Sequence, residues 1–259
     1  MKLAVSGKGG VGKTTIAAAL VKSFARTQRL VYAIDGDPDA CLAAAVGIPE
    51  EVAAGLKPVA EMKELIRARS GSGPIYLLNP RVDDVVENYS YHLGNIRFLR
   101  MGEVKKGGSE CYCRENTFLH ALVSSLLLDR GEVVIMDMGA GIEHLTRGTA
   151  RGVDLMLVVV EPSRNSINTA RHVQKMAEDL GIKKIRAIGN KIRSEKERKF
   201  IASNFQDREL LGFVGYDESI WESAMEGNSG NVGTKLQSEV DALKERILLE
   251  ATRPTSPEK

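Results

Sequence analysis

Cysteine is scarce in this chain, and long apolar segments are lacking. Only three of the 259 residues are cysteine, an odd count that is too small for a disulfide framework and fits a reducing compartment. No stretch reaches the roughly 18 consecutive apolar residues that a membrane-spanning helix needs. The N-terminus also lacks the apolar region and the cleavage site of a secretory signal. These features predict a cytoplasmic protein that has no membrane partner.

An excess of charge of one sign is also lacking. The 36 Lys and Arg residues nearly balance the 34 Asp and Glu residues, which leaves a net charge of +2. A general nucleic-acid-binding protein would show a strong basic excess, so we expect no nucleic-acid partner. The chain is long enough to bury a full core, and it shows no internal repeat and no linker. We therefore predict one domain over residues 1–250 and a disordered tail over 251–259.

Short apolar runs alternate with longer segments of helical periodicity. Strands are predicted at 2–6, 30–35, 74–78, 96–101, 132–136, 154–160, 185–189 and 210–214. Helices are predicted at 14–26, 115–128, 163–180, 194–203 and 233–250, and residues 40–70 are expected to be mainly helical. This alternation is typical of βαβ units. The predicted fold is a single α/β domain with a mostly parallel, twisted sheet flanked by helices.

The most specific motif follows the first predicted strand and opens a helix. The segment Gly7-Lys8-Gly9-Gly10-Val11-Gly12-Lys13-Thr14-Thr15 matches the P-loop pattern G-x-x-x-x-G-K-[ST]. Its glycines let backbone N–H groups converge on phosphate oxygens, and the helix N-terminus adds a positive dipole. Lys13 is expected to reach the β- and γ-phosphates, and the Thr14 hydroxyl is expected to bind Mg²⁺. The motif predicts a P-loop NTPase.

A second lysine, Lys8, lies near the start of this loop. The form K-G-G-x-G-K-T resembles the deviant Walker A motif of the MinD, ParA and NifH class of ATPases. That resemblance implies an ATP-hydrolysing homodimer that binds ATP or ADP, in which Lys8 reaches the nucleotide of the partner subunit. Lys8 would neutralise charge that develops during phosphoryl transfer, as an arginine finger does in trans. On residue type alone, the alternative is a solvated loop lysine.

Polar side chains follow three other predicted strands. Asp35 and Asp37 lie where this class places its first switch, and Asp137 ends an apolar strand as a Walker B carboxylate does. The resemblance implies that Asp37 orients the attacking water, that Asp35 supports Mg²⁺ or its waters, and that Asp137 holds Mg²⁺ through water. Simple turn formation is the alternative for the first two, and a helix cap for the third. Asn190 stands where this class reads adenine through an asparagine amide.

Two of the cysteines form the pair Cys111-Tyr112-Cys113 in a polar stretch. If the backbone is extended there, residues i and i+2 point to the same side, and the two thiolates face one way. A two-fold dimer would then bring four sulfur atoms together, a set that suits tetrahedral Zn²⁺, although other thiophilic divalent ions compete. The alternative is a pair of ordinary loop cysteines. Cys41 leads into an apolar segment and is predicted to be a buried structural cysteine.

The P-loop, the 35–38 segment, the cysteine pair and the segment 137–145 together resemble the CooC-type nickel-maturation ATPases. These proteins serve carbon monoxide dehydrogenase, and the related AcsF proteins serve acetyl-CoA synthase. The resemblance covers roughly residues 1–228. It implies a metallochaperone that uses ATP to deliver nickel to an apo-enzyme. Cys111 and Cys113 of both subunits would hold Ni²⁺ or Zn²⁺ at the dimer interface.

Two other functions of this ATPase class are open alternatives. A MinD- or ParA-like positioning ATPase would use a basic amphipathic C-terminal helix or a basic surface, whereas the predicted helix at 233–250 mixes acidic and basic residues. A NifH-like electron donor would hold an iron–sulfur cluster through one cysteine from each of two separated segments in each subunit. The close pair of Cys111 and Cys113 fits that arrangement poorly. The sequence therefore favours metal delivery.

Overall fold

An eight-stranded sheet runs through the part of the chain that the computed structural model describes, which comprises residues 1–37, 39–71, 77–82, 84–102, 113–125, 131–139, 152–225 and 233–252. The strands are β1 (Lys2–Gly7), β2 (Leu30–Gly36), β3 (Tyr91–Leu93), β4 (Ile96–Arg100), β5 (Glu132–Met138), β6 (Leu155–Val160), β7 (Ile185–Ile192) and β8 (Leu210–Gly215). The helices of these ranges are α1 (Lys13–Ala25), α2 (Leu42–Val46), α3 (Glu50–Gly55), α4 (Lys63–Ser70), α5 (Val85–Tyr89), α6 (Cys113–Ser125), α7 (Arg164–Asp179), α8 (Glu195–Ala202), α9 (Glu218–Met225) and α10 (Thr234–Thr252), with a 3₁₀ turn at Val59–Glu61.

The strand order is β3-β4-β2-β5-β1-β6-β7-β8, and every neighbouring pair except β3 and β4 is parallel. The predicted α/β fold with a mostly parallel sheet is therefore confirmed. β1 lies at the centre, with β5 on one side and β6 on the other. In open sheets of this kind, ligands bind beyond the carboxyl ends of the strands, where the strand order reverses. That reversal places the loop after β1 at the expected binding position.

The central strands are buried on both faces. In β6 one set of alternate side chains packs in a core cluster with α1 and α10, and the other set packs in a cluster with α6 and α7. The two sets are Leu155, Leu157 and Val159, and Met156, Val158 and Val160. Since both faces are covered by helices, such a strand consists of a continuous apolar run. This is why the sequence pattern located it within one residue.

Two predicted segments and one strand that was not predicted need comment. Residues 40–70 are mainly helical as expected, but they form the short helices α2, α3 and α4, interrupted at Gly47, Pro49 and Pro58. The strand predicted at 74–78 is wrong at Leu77 and Leu78, which lie in no strand and are 60% and 78% exposed, while residues 74–76 lie outside the described residues. The edge strand β3 was not predicted.

The C-terminal helix α10 packs against α1 and β8. Its apolar stripe is buried in the same cluster as the core-facing side of α1. The stripe consists of Leu236, Val240, Leu243 and Ile247. Residues 253–259, which make up most of the predicted tail, lie outside the described residues. No helix in the described ranges combines the length and the apolar character needed to cross a bilayer.

Candidate nucleotide-binding site

The loop between β1 and α1 has a backbone that two of its glycines make possible. Gly7 has a φ of +147°, and a Cβ atom there would overlap the carbonyl oxygen of Val159. Gly12 caps α1 with a φ of +94°, and a Cβ atom there would overlap the side-chain amide of Asn190. An L-residue with a side chain is strained at both angles and has no space at either position. The first and last glycines of the P-loop pattern are therefore required by local geometry.

The start of the loop is a tight turn. The Val11 N–H donates to the Lys8 carbonyl at 3.4 Å, and Gly10, with a φ of +81°, occupies the turn position that favours glycine. Gly9 has open space around its Cα atom. Lys8 is partly exposed at the beginning of this turn. The turn leads into α1, whose first residue is Lys13, and the backbone N–H groups at the start of a helix, which lack partners within the helix, are the groups that the motif predicts to bind phosphate.

Two side chains at the end of β7 donate hydrogen bonds to the backbone of this loop. The buried Asn190 side-chain amide donates to the Val11 carbonyl at 2.8 Å. The Lys191 ammonium donates to the Gly10 carbonyl, and it lies 3.6 Å from the Glu161 carboxylate. Asn190 was predicted to contact adenine; its hydrogen bond in the structure is to the loop, and the adenine contact stays a prediction. Lys191 was not predicted to act here, although it stands next to Asn190 in the sequence.

Two carboxylates meet at the carboxyl edge of the sheet. Asp35 on β2 pairs in register with Asp137 on β5, and both side chains are fully buried. The carboxylate of Asp35 accepts the backbone N–H of Asp37 at 3.2 Å and that of Leu42 at 3.1 Å. Burial raises the pKa of Asp35 to about 6, and these two hydrogen bonds oppose the rise. Asp35 therefore shapes the loop that carries Asp37.

The carboxylate of Asp137 is buried without such support. Among the described residues, neither of its oxygens has a hydrogen-bond partner; the Thr14 hydroxyl is near, but its contact falls short of good hydrogen-bond geometry. Burial raises the pKa of Asp137 to about 7, and Thr14 opposes the rise. A buried carboxylate beside a hydroxyl is a donor set that suits a hard cation such as Mg²⁺. When bound, Mg²⁺ would neutralise charge on the phosphate oxygens.

A cavity of about 460 Å³, called the phosphate cavity below, lies in front of the P-loop where the motif predicts that phosphate binds. It is lined by Gly9, Gly10, Gly12, Lys13, Thr14, Asp37, Asp39, Cys41 and Gly139. The Lys13 side chain is 7% exposed, and its ammonium lies 3.9 Å from the Asp37 carboxylate. The Asp39 N–H in turn donates to the Asp37 carboxylate at 3.1 Å. The structure thus brings the motif lysine and the predicted switch carboxylate together at one cavity.

The prediction of a buried Cys41 is wrong. Cys41 is exposed, and its thiol donates to the carbonyl of Asp39 at 3.4 Å. It precedes α2 and lines the phosphate cavity, whereas the next residue, Leu42, takes the buried position. Desolvation, followed by the neighbouring carboxylates, raises the pKa of the Cys41 thiol. The apolar sequence that follows Cys41 therefore marks the start of a helix and not the burial of the thiol.

The predicted metal pair lies largely outside the described residues. Cys111 is outside them, and Cys113 is the first residue of α6, with its side chain not described. The premise of an extended backbone is therefore wrong at Cys113, where the chain is already helical. Within the described ranges, no group of three or more His, Cys, Asp or Glu residues is placed to hold a metal ion. The metal site stays a prediction from the sequence.

A P-loop at the centre of a parallel sheet, with buried carboxylates on the neighbouring strands, defines a nucleotide-binding site of the P-loop ATPase class. A family model described as the CobQ/CobB/MinD/ParA nucleotide binding domain matches residues 2–230. The chain belongs to this family and is an ATPase.

Three similar proteins show how far the likeness extends. The carbon monoxide dehydrogenase accessory protein CooC of Rhodospirillum rubrum is 42% identical over 88% of this chain and 89% of that protein. An uncharacterised ATP-binding protein of Methanocaldococcus jannaschii is 41% identical over 96% of this chain and 98% of that protein. The solved structure of the MinD cell division protein of Aquifex aeolicus has a TM-score of 0.66 and 18% identity, over 98% of each chain. The first two likenesses extend through almost the whole chain, and the third concerns the fold.

Proposed function

We propose that this chain is a cytoplasmic, ATP-hydrolysing homodimeric metallochaperone that assists nickel insertion into carbon monoxide dehydrogenase or acetyl-CoA synthase. The observation that carries the proposal is the 42% identity to CooC, which covers nearly nine-tenths of both chains. The nucleotide site supports the ATP-dependent part, since the P-loop, Lys13 and the Asp37 carboxylate line one cavity, and the buried Asp35 and Asp137 lie near the ends of neighbouring strands of the same sheet.

The positions of the described residues support a role for each in ATP binding and hydrolysis. Lys13 would contact the phosphates, the Thr14 hydroxyl would hold Mg²⁺ directly and Asp137 would hold it through water, and the ion would neutralise charge on the transferred group. Asp37 orients the attacking water, and its position 3.9 Å from Lys13 supports that role. Asp35 acts mainly by position, because its two hydrogen bonds to backbone N–H groups fix the loop that carries Asp37.

Dimerisation couples ATP binding and hydrolysis to metal binding. Lys8 reaches the phosphates of the partner's nucleotide, so that ATP stabilises the dimer. Cys111 and Cys113 of both subunits then supply four thiolates, a set that holds Ni²⁺ or Zn²⁺. ATP hydrolysis loosens the dimer and with it the metal site. Support for this part comes from the sequence motifs and from the likeness to CooC.

The metal part is tested by anaerobic titration of the dimer with Ni²⁺ and with Zn²⁺. We expect one ion for each dimer, and we expect the paired substitution Cys111→Ala with Cys113→Ala to abolish tight binding. Cys41→Ala removes the only other thiol and is expected to leave the stoichiometry unchanged. Unchanged affinity and stoichiometry in the paired variant would rule out the proposed metal site.

A further inference from the structure

The P-loop is held by two consecutive side chains at the end of β7, Asn190 and Lys191, which bind two consecutive carbonyls of the loop. We propose that Lys191, held by Glu161, is a positioning residue that keeps the P-loop in its phosphate-binding form before a nucleotide arrives. This role is additional to those of the P-loop motif, and it depends only on nucleotide binding. It is therefore independent of nickel delivery and of the cysteine pair.

The backbone of β7 directs Lys191 towards the loop. Lys191 has a φ of +59°, a left-handed conformation that is uncommon for a residue other than glycine. The pairing of β7 with β8 also shifts register between Gly189 and Ile192, which indicates a bulge at this point. Bulges occur next to active sites, where they change the direction of a side chain. Two independent features of the backbone thus coincide where Lys191 turns towards Gly10.

The contact with Gly10 has a direct effect on the loop. In a trans peptide the C=O and N–H point in opposite directions, so a donor that holds the Gly10 carbonyl directs the Val11 N–H to the other side. That N–H donates to the Lys8 carbonyl and closes the turn at the start of the loop. By the same geometry, the bond from Asn190 to the Val11 carbonyl directs the Gly12 N–H away from Asn190. Lys191 therefore stabilises the turn, and Asn190 stabilises the step into α1.

Glu161 is placed to hold the ammonium group of Lys191 in position. It follows β6 directly, and its carboxylate lies 3.6 Å from Lys191. Its backbone N–H donates to the Ser166 hydroxyl at 3.0 Å, and its carbonyl accepts the Ser163 N–H at 2.7 Å. The start of α7 thus fixes Glu161. Both charged side chains are partly exposed, so we expect Glu161 to contribute less than the bond from Lys191 to Gly10.

The main test is Lys191→Met, which keeps the four-atom stem of the side chain and removes the ammonium donor. Lys175→Met is the matched control, because Lys175 is exposed on α7. If the loop must become ordered when the nucleotide binds, binding is weakened by the same amount in the ground state and in the transition state. We expect Lys191→Met to raise the Kd and the KM for Mg-ATP about tenfold, with kcat changed less than twofold. Its Tm should match that of the control, and Lys191→Arg should recover most of the affinity.

Three results would overturn the proposal: an Mg-ATP affinity of Lys191→Met equal to that of Lys175→Met, a loss confined to kcat, or no recovery in Lys191→Arg. Glu161→Gln is the second test and decides the matter if Lys191→Met does not fold. We expect it to raise the Kd roughly two- to threefold, relative to Glu178→Gln on the exposed side of α7. An unchanged Kd in Glu161→Gln would also contradict the proposal.

Discussion

At the residue scale, Asp137 is placed for function at a cost in stability. Its pKa is raised from 3.8 to about 7, so the folded protein binds this proton more tightly than the unfolded chain does. The stability of the nucleotide-free protein therefore falls as the pH rises from about 4 to about 7, and it stays low above that range. Mg²⁺ bound with nucleotide would supply positive charge that offsets this cost.

Asp137→Asn should accordingly stabilise the nucleotide-free protein and abolish its Mg²⁺-dependent ATPase activity. At pH 8 we expect a gain on the order of 4 kcal/mol in the free energy of unfolding, since the pKa is raised by about three units and each unit corresponds to about 1.4 kcal/mol. The gain should shrink towards pH 4, where the carboxyl is protonated in both states. Urea unfolding at both pH values measures it, with the exposed Asp179→Asn as control. A variant less stable than the native protein at pH 8 would contradict this account.

The glycines of the P-loop allow a second comparison within one motif. Gly12→Ala places a Cβ atom against Asn190 at a φ of +94°, so we expect it to cost roughly 2 kcal/mol or more of stability. Gly9→Ala meets no atom within 4 Å, and we expect a change in Tm close to zero. Thermal unfolding without nucleotide measures both. Equal losses in the two variants would show that the close approach of Asn190 does not constrain the loop.

Residues at the site differ in how far the sequence could predict them. The convergence of Asp35 and Asp137 was predictable, because each ends a buried parallel strand and such strands end at one edge. Cys41 was predicted wrongly, because an apolar segment after a residue does not decide whether that residue caps the helix or enters the core. The contact of Lys191 with Gly10 depends on a left-handed backbone angle and a bulge, which have no signal in the pattern of apolar residues.

At the element scale, α10 belongs to the core of the fold. Leu243 is 2% exposed and packs against Gly212 of β8, whereas Leu249 on the same helix is 61% exposed. We expect Leu243→Ala to lower the free energy of unfolding by about 2–5 kcal/mol and Leu249→Ala to change it by less than about 0.5 kcal/mol. Chemical denaturation measures both. A small loss in Leu243→Ala would mean that the apolar stripe is available for another surface, such as a membrane.

Elements with strong apolar patterns were predicted well, and short or exposed ones were not. Strands β1, β2, β4, β5, β6, β7 and β8 were all located, because their buried runs are flanked by turns or by helical periodicity. β3 has only three residues and includes the exposed His92, so alternation over so short a length carries little information. Leu77 and Leu78 form an apolar pair, yet both are exposed, because nothing in the local pattern specifies which apolar residues find a partner.

At the scale of the whole molecule, the ATPase fold and the proposed metal delivery rest on different parts of the chain. The described part of the nucleotide site is built from strand ends around the central β1 of one chain, and Lys8 is proposed to act on the partner's nucleotide. The proposed metal site would need the cysteine pairs of two chains. In the proposed function, nucleotide binding and metal binding are therefore coupled through the dimer, and an assay of either one alone does not test that function.

The most direct test measures nickel in a client enzyme. Apo carbon monoxide dehydrogenase is incubated anaerobically with Ni²⁺ and this protein, with and without Mg-ATP, and is then separated for metal analysis and assayed for activity. The account predicts that nickel content and activity rise together only when ATP and the native protein are both present, and that the paired Cys111→Ala and Cys113→Ala variant gives no rise. The same nickel content and activity with or without the native protein and ATP, for this client and for apo acetyl-CoA synthase, would contradict it.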